Sequence, residues 1–338
     1  MSQAAQFLAR LRRNGRVHHS HARIAPLSGG VSSEIYLVED GAEKFVVKRA
    51  LAKLKVKDDW FADISRTVSE QKYFEYVGRM MPGVVPQLRF SDPEEACFGM
   101  EFLGDGFANW KQLLLAGDCR AEHAEQAGAI LGEIHQRTYL DDALRKQFDT
   151  TENFHQLRVE PYLLTTGTRH PGLQQIFVAE ARRIETTREA LVHGDFSPKN
   201  ILICDKRMVL LDCEVAWYGD PTFDVAFFLN HLFLKSLYHA PENFGMETMI
   251  AAFWRSYAQA RANGDARVVE RRLMPLLLML LLARVDGKSP VEYLPSMKQQ
   301  FIRDFVCKHL PSPPENLADM SDIWFTQELK SVSVGAPA

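Results

Sequence analysis

Short apolar runs broken by turn residues fill the first hundred positions, and apolar residues spaced three and four apart fill most of the rest. Residues 4–13 read as a short amphipathic helix with arginines on one side. From 24 to 48 the pattern is that of strands: IAPLSGGVSSEIYLVED and GAEKFVVKRA give strand, Gly/Ser turn, strand, polar turn from Glu39 to Glu43, strand. Residues 59–79 carry apolar side chains at 61, 64, 68, 73, 74 and 77, which suits a helix, and PGVVP (82–86) ends it. Two more strands are expected at 87–91 and 96–102 around the turn DPEE.

After Gly104 and Gly106 the spacing changes. Helices are expected at 107–116, 120–137, 170–190, 221–239, 245–263, 267–285 and 296–309. One β interruption breaks the series at ILICDKRMVLLD (201–212), and the tail 331–338 reads as disordered. The fold class is therefore α+β, with a β-rich N-terminal lobe over 1–103 and a mostly helical C-terminal lobe over 104–330.

Composition narrows the class. With 338 residues, 46% hydrophobic, the chain can bury a large core, and a formal net charge of -3 offers no field for nucleic acid or an anionic membrane. Five cysteines lie scattered without a CxxC pair, which argues against a zinc site or a disulfide scaffold. The three close histidines of RVHHSHAR (16–23) have no neighbouring carboxylate or cysteine and read as a solvated loop. Residues 1–17 lack the continuous apolar stretch of a signal peptide. The apolar run from Leu273 to Ala283 is about half a membrane span and holds Pro275, so a buried core helix is expected. The reading is a cytoplasmic protein, monomer or homodimer, with no nucleic-acid or membrane partner.

Candidate chemistry concentrates in LVHGDFSPKNILICDKRMVLLDCEVAWYGDPTFDVAFF (191–228). Asp195 lies in a loop, Asn200 opens the first short strand and Asp212 ends the second, so a hairpin would bring Asn200 and Asp212 together within reach of Asp195. A carboxylate with an amide oxygen is a hard donor set for Mg²⁺ carrying phosphates. A second carboxylate can orient a hydroxyl and accept its proton. These are the requirements of phosphoryl transfer. Asp220 and Pro221 suit the N-cap and first position of the next helix.

HGDFSPKN followed by LLDCE resembles the catalytic loop and metal aspartate of the protein-kinase-like fold. The HGD triplet and the later YGDPTFDVA (218–226) make the chain similar to the aminoglycoside phosphotransferase and choline kinase family of small-molecule kinases. That resemblance implies a two-lobe fold with ATP and Mg²⁺ held between the lobes. It implies Asp195 as catalytic base, Asn200 and Asp212 as metal ligands, His193 holding the loop and Asp224 bracing it. In the N-terminal lobe it gives functional meaning to Ser28, Gly29, Gly30, Ser32 and Ser33, which alone form an ordinary turn. It implies Lys48 as the phosphate-contacting lysine and Glu70, with Glu75 as competitor, as the carboxylate holding that lysine. It implies Glu101, Phe102 and Leu103 as the backbone hinge for adenine; Met100 and Phe102 are either adenine-facing or core.

The departures matter. The metal aspartate is followed by Cys213 and Glu214 rather than Phe-Gly, and no activation segment fits between Asp212 and Asp220. This favours a small-molecule acceptor over a protein. Lys199 either neutralises the transferred phosphoryl group or is solvated, and Glu214 is a candidate partner behind the metal. Trp217 and Tyr218 either stack on an acceptor or belong to the core. Residues 283–294, ARVDGKSPVEYL, form either an acceptor rim or a helix–helix connection. The expected activity moves the γ-phosphate of ATP to a hydroxyl of an aminoglycoside, an amino alcohol, a methylthioribose-like sugar, homoserine or another small alcohol. The rival is a non-catalytic nucleotide-binding protein on the same fold.

Overall fold

The computed structural model describes residues 2–27, 33–51, 63, 66–104, 106–205, 207–262 and 265–328. It divides into two compact units, one formed by residues 1–107 with 209–214 and the other by 108–208 with 215–338.

The first unit is built on alternation. Helix α1 (Gln3–Arg13) is capped by Ser2, whose hydroxyl accepts from the Ala5 N–H at 3.3 Å. Strands β1 (Arg23–Pro26), β2 (Ser33–Asp40) and β3 (Glu43–Ala50) form a meander. Helix α2 (Arg66–Met80) follows, then β4 (Leu88–Asp92) and β5 (Cys97–Glu101). The strands form one antiparallel sheet in the order β1-β2-β3-β5-β4. Phe7 and Leu11 of α1 pack onto Tyr36, Val38, Phe45 and Val47. Burying each of those two side chains stabilises this layer by roughly 2 kcal/mol. The helix expected at 59–79 is seen from Arg66; most of the stretch before it, like Ser28, Gly29, Gly30 and Ser32 and the tail 331–338, lies outside the described residues.

The second unit is helical. The helix Thr222–His239 is buried on every side from Thr222 to Leu237, as expected of a helix at the centre of a bundle. The helix Ala266–Asp286 carries the leucine run, also buried, with Pro275 inside it. Ala121–Arg137 packs closely on Met246–Ala260 because glycine removes the side chain at the crossing. A Cβ on Gly128 would lie 2.3 Å from the Phe253 carbonyl oxygen.

Several sequence expectations need correction. The helix expected over 170–190 is shorter, Gln174–Thr186, because Ala190–Val192 pairs antiparallel with Trp217–Gly219 in a small sheet. The hairpin region is therefore not the sole β element after residue 104, and Ala108–Asn109 also pairs with Ile201–Cys204. Residues 138–169 carry short helices and a wide-turn helix, His155–Leu164, with Pro161 inside it. Its irregular turn hides the spacing on which helix recognition depends. The helix after YGDP starts one residue later than expected: Pro221 is the N-cap, and Asp220 Oδ1 accepts from the Thr222 N–H at 2.9 Å. Trp217 and Tyr218 are core. Trp217 stacks on Phe154 with centroids 4.0 Å apart, and the Tyr218 hydroxyl donates to the Thr138 carbonyl at 2.8 Å.

Candidate functional site

In the first unit the β3 backbone places Lys48 opposite Phe98 of β5, and its side chain is buried. Helix α2 turns Arg66, Glu70, Tyr73, Phe74 and Val77 inward at three- and four-residue intervals. Glu70 therefore meets Lys48, with Nζ 2.9 Å from Oε1. Glu75 faces outward and pairs with Arg79 on its own helix. Lys48 also touches the Asp212 carboxylate, and Arg66 holds Glu214 with Nε 3.0 Å from Oε2. Burial pulls the Lys48 ammonium down, but Asp212, Glu70 and Glu214 outweigh it and hold its pKa well above the ordinary value. Burial pushes the Glu70 carboxyl up to about 7 against the pull of Lys48.

Strand pairing stops at Leu210, not at Asp212 as expected. Asp212 takes a left-handed backbone conformation, φ 61°, an uncommon state for a residue with a side chain. Glu70, Asp212 and Glu214 each offer an oxygen within 4.8 Å of the other two. Glu70 and Glu214 are tied to Lys48 and Arg66 and stand 2% and 7% exposed, whereas the Asp212 side chain keeps 29%. Asp212 is thus the most exposed of the three carboxylates.

The hinge expectation falls on the end of β5. The Glu101 N–H donates to the Gln87 carbonyl at 2.8 Å. The ladder with β3 ends at the Phe45–Glu101 pair, and Phe102 and Leu103 lie just past the strand end. Met100 is core and Phe102 half-buried. Ser33 opens β2 buried, and its hydroxyl has no partner among the described residues.

In the second unit the loop after Ala190–Val192 is held from behind. Asp224 accepts from the His193 N–H at 2.7 Å and the Gly194 N–H at 2.9 Å. His135 backs Asp224, its Nε2 3.3 Å from Oδ2. Burial lowers the His135 pKa, so this brace is neutral imidazole rather than a cation. Gly194 has φ 78°, and a Cβ there would lie 2.6 Å from the Val215 carbonyl, so the HGD turn requires glycine. The His193 ring accepts from the Asp195 N–H at 3.2 Å.

Asp195 itself is buried. Arg158 Nη2 lies 3.1 Å from its Oδ2, and Lys199 Nζ 3.2 Å from the same oxygen. Asn200 donates its amide to the Asp195 carbonyl at 3.0 Å, which turns its carboxamide oxygen away from that bond and leaves it for another partner. Asn109 ties the Lys199 carbonyl at 2.7 Å. Lys199, half-exposed, is thus paired rather than merely solvated.

Arg158 and Arg66 escaped the sequence reading. Arg158 sits in the irregular helix, where no spacing signals it; an arginine inside the apolar stretch LRVEPYLL was the one cue. Arg66 stands in no motif, and the inward face of its expected helix is read in the sequence from apolar residues and Glu70. Within 283–294, Asp286 binds Arg303 and His170, and Lys288 binds Glu160, so these two charges are taken up inside the fold.

Comparison with known proteins agrees with this geometry. The model of the phosphotransferase enzyme family (APH) matches residues 23–267. Methylthioribose kinase of Pectobacterium carotovorum is 24% identical over 224 residues, 58% of this chain and 56% of that protein. Methylthioribose kinase of Bacillus pumilus is 25% identical over 248 residues, 64% and 62% of the two chains. The chain thus spans a little over half the length of these curated relatives. An amicoumacin kinase solved with AMP-PNP, Ca²⁺ and Ami covers 94% of this chain and 98% of its own, at 14% identity and a TM-score of 0.57. A Plasmodium vivax ethanolamine kinase covers 85% and 82%, at 13% identity and a TM-score of 0.51. The fold is that of the kinase-like two-lobe class, β-rich first and helical after, and the chain belongs to the phosphotransferase enzyme family.

Proposed function

We propose that this protein is a small-molecule kinase, moving the γ-phosphate of ATP to an alcohol. The observation that carries the reading is the asymmetry of Asp195. Two cations, Arg158 and Lys199, converge on Oδ2 of its carboxylate, on a loop that Asp224 holds by two backbone N–H groups.

In this mechanism Lys48, held by Glu70, contacts the nucleotide phosphates together with Ser28, Gly29, Gly30, Ser32 and Ser33. The backbone of Phe102 and Leu103, next to Glu101, meets the adenine edge. Asn200 and Asp212 are the ligands of Mg²⁺, which when bound neutralises phosphate charge. Asp195 Oδ1 accepts the hydrogen bond of the acceptor hydroxyl and so aims its oxygen at the γ-phosphorus. The new O–P bond forms as the bond from phosphorus to the β–γ bridging oxygen breaks; ADP leaves, and the hydroxyl proton passes to Oδ1. The transition state is loose, so the carboxylate acts mainly by alignment and takes the proton late. Lys199, already beside Oδ2, lies where it can neutralise the phosphoryl group in flight. His193 and Asp224 position the loop and touch no substrate.

The test is ADP release with ATP and Mg²⁺ across a panel of hydroxylated acceptors. Asp195→Asn keeps the shape and removes the base, and it should lower turnover about 10³-fold while ATP still stabilises the protein in a thermal melt. Turnover near that of the unaltered enzyme would refute the role of Asp195. ATP binding with no acceptor phosphorylated would instead favour a nucleotide-binding protein without catalysis.

A further inference from the structure

The helical unit holds a second set of charged groups that the transfer step does not use. It lies along one face of the helix Thr222–His239, where Phe227, His231 and Lys235 recur every four residues. Phe227 is the end nearest Asp195: the Arg158 guanidinium, which touches Asp195, also stands 5.5 Å over the Phe227 ring. His231 packs against Phe227 with centroids 5.5 Å apart. Lys235 comes one turn later, about 12 Å of helix rise from Phe227.

Lys235 is 1% exposed. Its ammonium makes one hydrogen bond among the described residues, to the His231 carbonyl at 3.4 Å, and stands 5.6 Å from the Tyr293 ring. No carboxylate among the described residues forms an ion pair with it. An ammonium buried without a counter-charge costs several kcal/mol, and that cost falls when the group loses its proton or when a negative partner reaches it. Its surroundings deepen the deficit. Lys111, which lies over the other reach of the Tyr293 ring at 5.8 Å, and Arg284 both repel it, and the one nearby carboxylate, Glu292, is bound to Lys111 on the exposed rim. Arg284 spends its hydrogen bonds on Ser289 and Tyr162, with no carboxylate, and its Nε is buried without a partner among the described residues. The Tyr293 hydroxyl is likewise buried and unpartnered there. Burial and these cations push Lys235 down to about 7 and His231 well below its ordinary value.

We propose that Lys235, with Arg284 and Lys111, forms an anion subsite, so that the acceptor is a hydroxylated compound bearing a carboxylate or phosphate group, its hydroxyl at Asp195 and its anion at Lys235. This rests on the assignment of Asp195 as the group that receives the hydroxyl. The subsite disfavours polycationic or quaternary-ammonium acceptors, which would face three positive side chains.

The experiment is calorimetric titration of the whole protein with glucuronate, glycerol phosphate, inorganic phosphate, glucose and glucosamine at equal ionic strength, alongside ADP release with the same compounds. The anionic probes should bind. Lys235→Met, which matches the volume and removes the charge, should weaken them about 10- to 100-fold without lowering the melting temperature, and Lys235→Arg should retain most of the affinity. Glucose and glucosamine should show no binding that depends on Lys235. The proposal is overturned if no anionic probe binds, if glucosamine binds more tightly than glucuronate, or if Lys235→Met leaves anion affinity unchanged. The two readings fail separately. Anion binding through Lys235 with no phosphorylation of any acceptor sinks the kinase assignment and keeps the subsite. Phosphorylation indifferent to acceptor charge keeps the kinase and sinks the subsite.

Discussion

Among the described residues two lysines are buried, one in each unit, and their environments are opposite. Lys48 touches two carboxylates and feels a third, and its pKa stands well above the ordinary value despite burial. Lys235 faces two cations and one committed carboxylate, and its pKa falls to about 7. Loss of water penalises both ammonium groups in the same direction. The partners alone reverse the sign. The first cluster carries its own counter-charge and is complete as folded, whereas the second is complete only when something negative arrives.

The strongest way to break this comparison is to remove the cation that is paired. Lys48→Met would leave Glu70, Asp212 and Glu214 crowded around an apolar side chain, with Arg66 neutralising Glu214 alone. Breaking a buried ion pair from one side costs about 3–5 kcal/mol. A proton taken up by Glu70 offsets part of this, so about 3 kcal/mol is expected in denaturant unfolding. The stabilisation by ATP should vanish with it. An unchanged unfolding midpoint would mean that the three carboxylates do not depend on Lys48, and the contrast with Lys235 would lose its first half.

The opposite outcome is expected of the second lysine. The folded pKa of Lys235, about 7, lies below its ordinary 10.5. Between those values the unfolded chain holds a proton that the native chain lacks, so stability rises with pH across that window. The penalty is full at and below pH 7 and fades toward 10.5. Lys235→Met removes it and should therefore stabilise the ligand-free protein by about 2 kcal/mol near neutrality. The gain over the parent protein should shrink as the pH is raised. Melting curves of both proteins from neutral to alkaline pH check this. A gain that grows with pH, or a loss at neutrality, would mean that Lys235 has a counter-charge in the folded protein.

How much of each cluster could be read in the amino-acid sequence follows from the same contrast. Lys48, Asp195, Asn200, Asp212 and Asp224 stand in a motif whose spacing is set by loops and strand ends, and such spacing survives in the sequence. Glu70 was legible too, as the mid-helix glutamate that the family resemblance sets behind the lysine. The two-lobe division was legible because alternation gives way to three- and four-residue spacing near Gly104. His231 and Lys235 were not. They stand beside Asn230 and Ser236 in a mostly apolar, wholly buried helix, and a polar residue there carries no motif until its neighbours are known. Arg158 was hidden for a different reason: the wide turns of His155–Leu164 scramble the periodicity that would have shown which face it occupies. Arg66 was missed because its role depends on Glu214, far away in the chain. Motifs held by local geometry are visible in sequence; charges that matter through distant neighbours are not.

The finest test of the first cluster compares two glutamates of one helix. Glu70 and Glu75 lie five residues apart on α2, a spacing that puts them on different faces. Glu70 is buried against Lys48, and Glu75 is more than half exposed beside Arg79 at 3.7 Å. Glu75→Gln loses one solvated helical pair and should change stability by less than about 0.5 kcal/mol. Glu70→Gln keeps an oxygen facing the Lys48 ammonium, and Asp212 remains as its counter-charge, so the loss should be only about 1 kcal/mol. The small size of that loss is informative. It would show that Lys48 is held by several carboxylates jointly, which Lys235 lacks altogether. A loss from Glu70→Gln as large as that from Lys48→Met would instead mean that Glu70 alone neutralises the lysine. Asp212 would then contribute no counter-charge to Lys48 in the free protein and would be held in its left-handed conformation by something other than that contact.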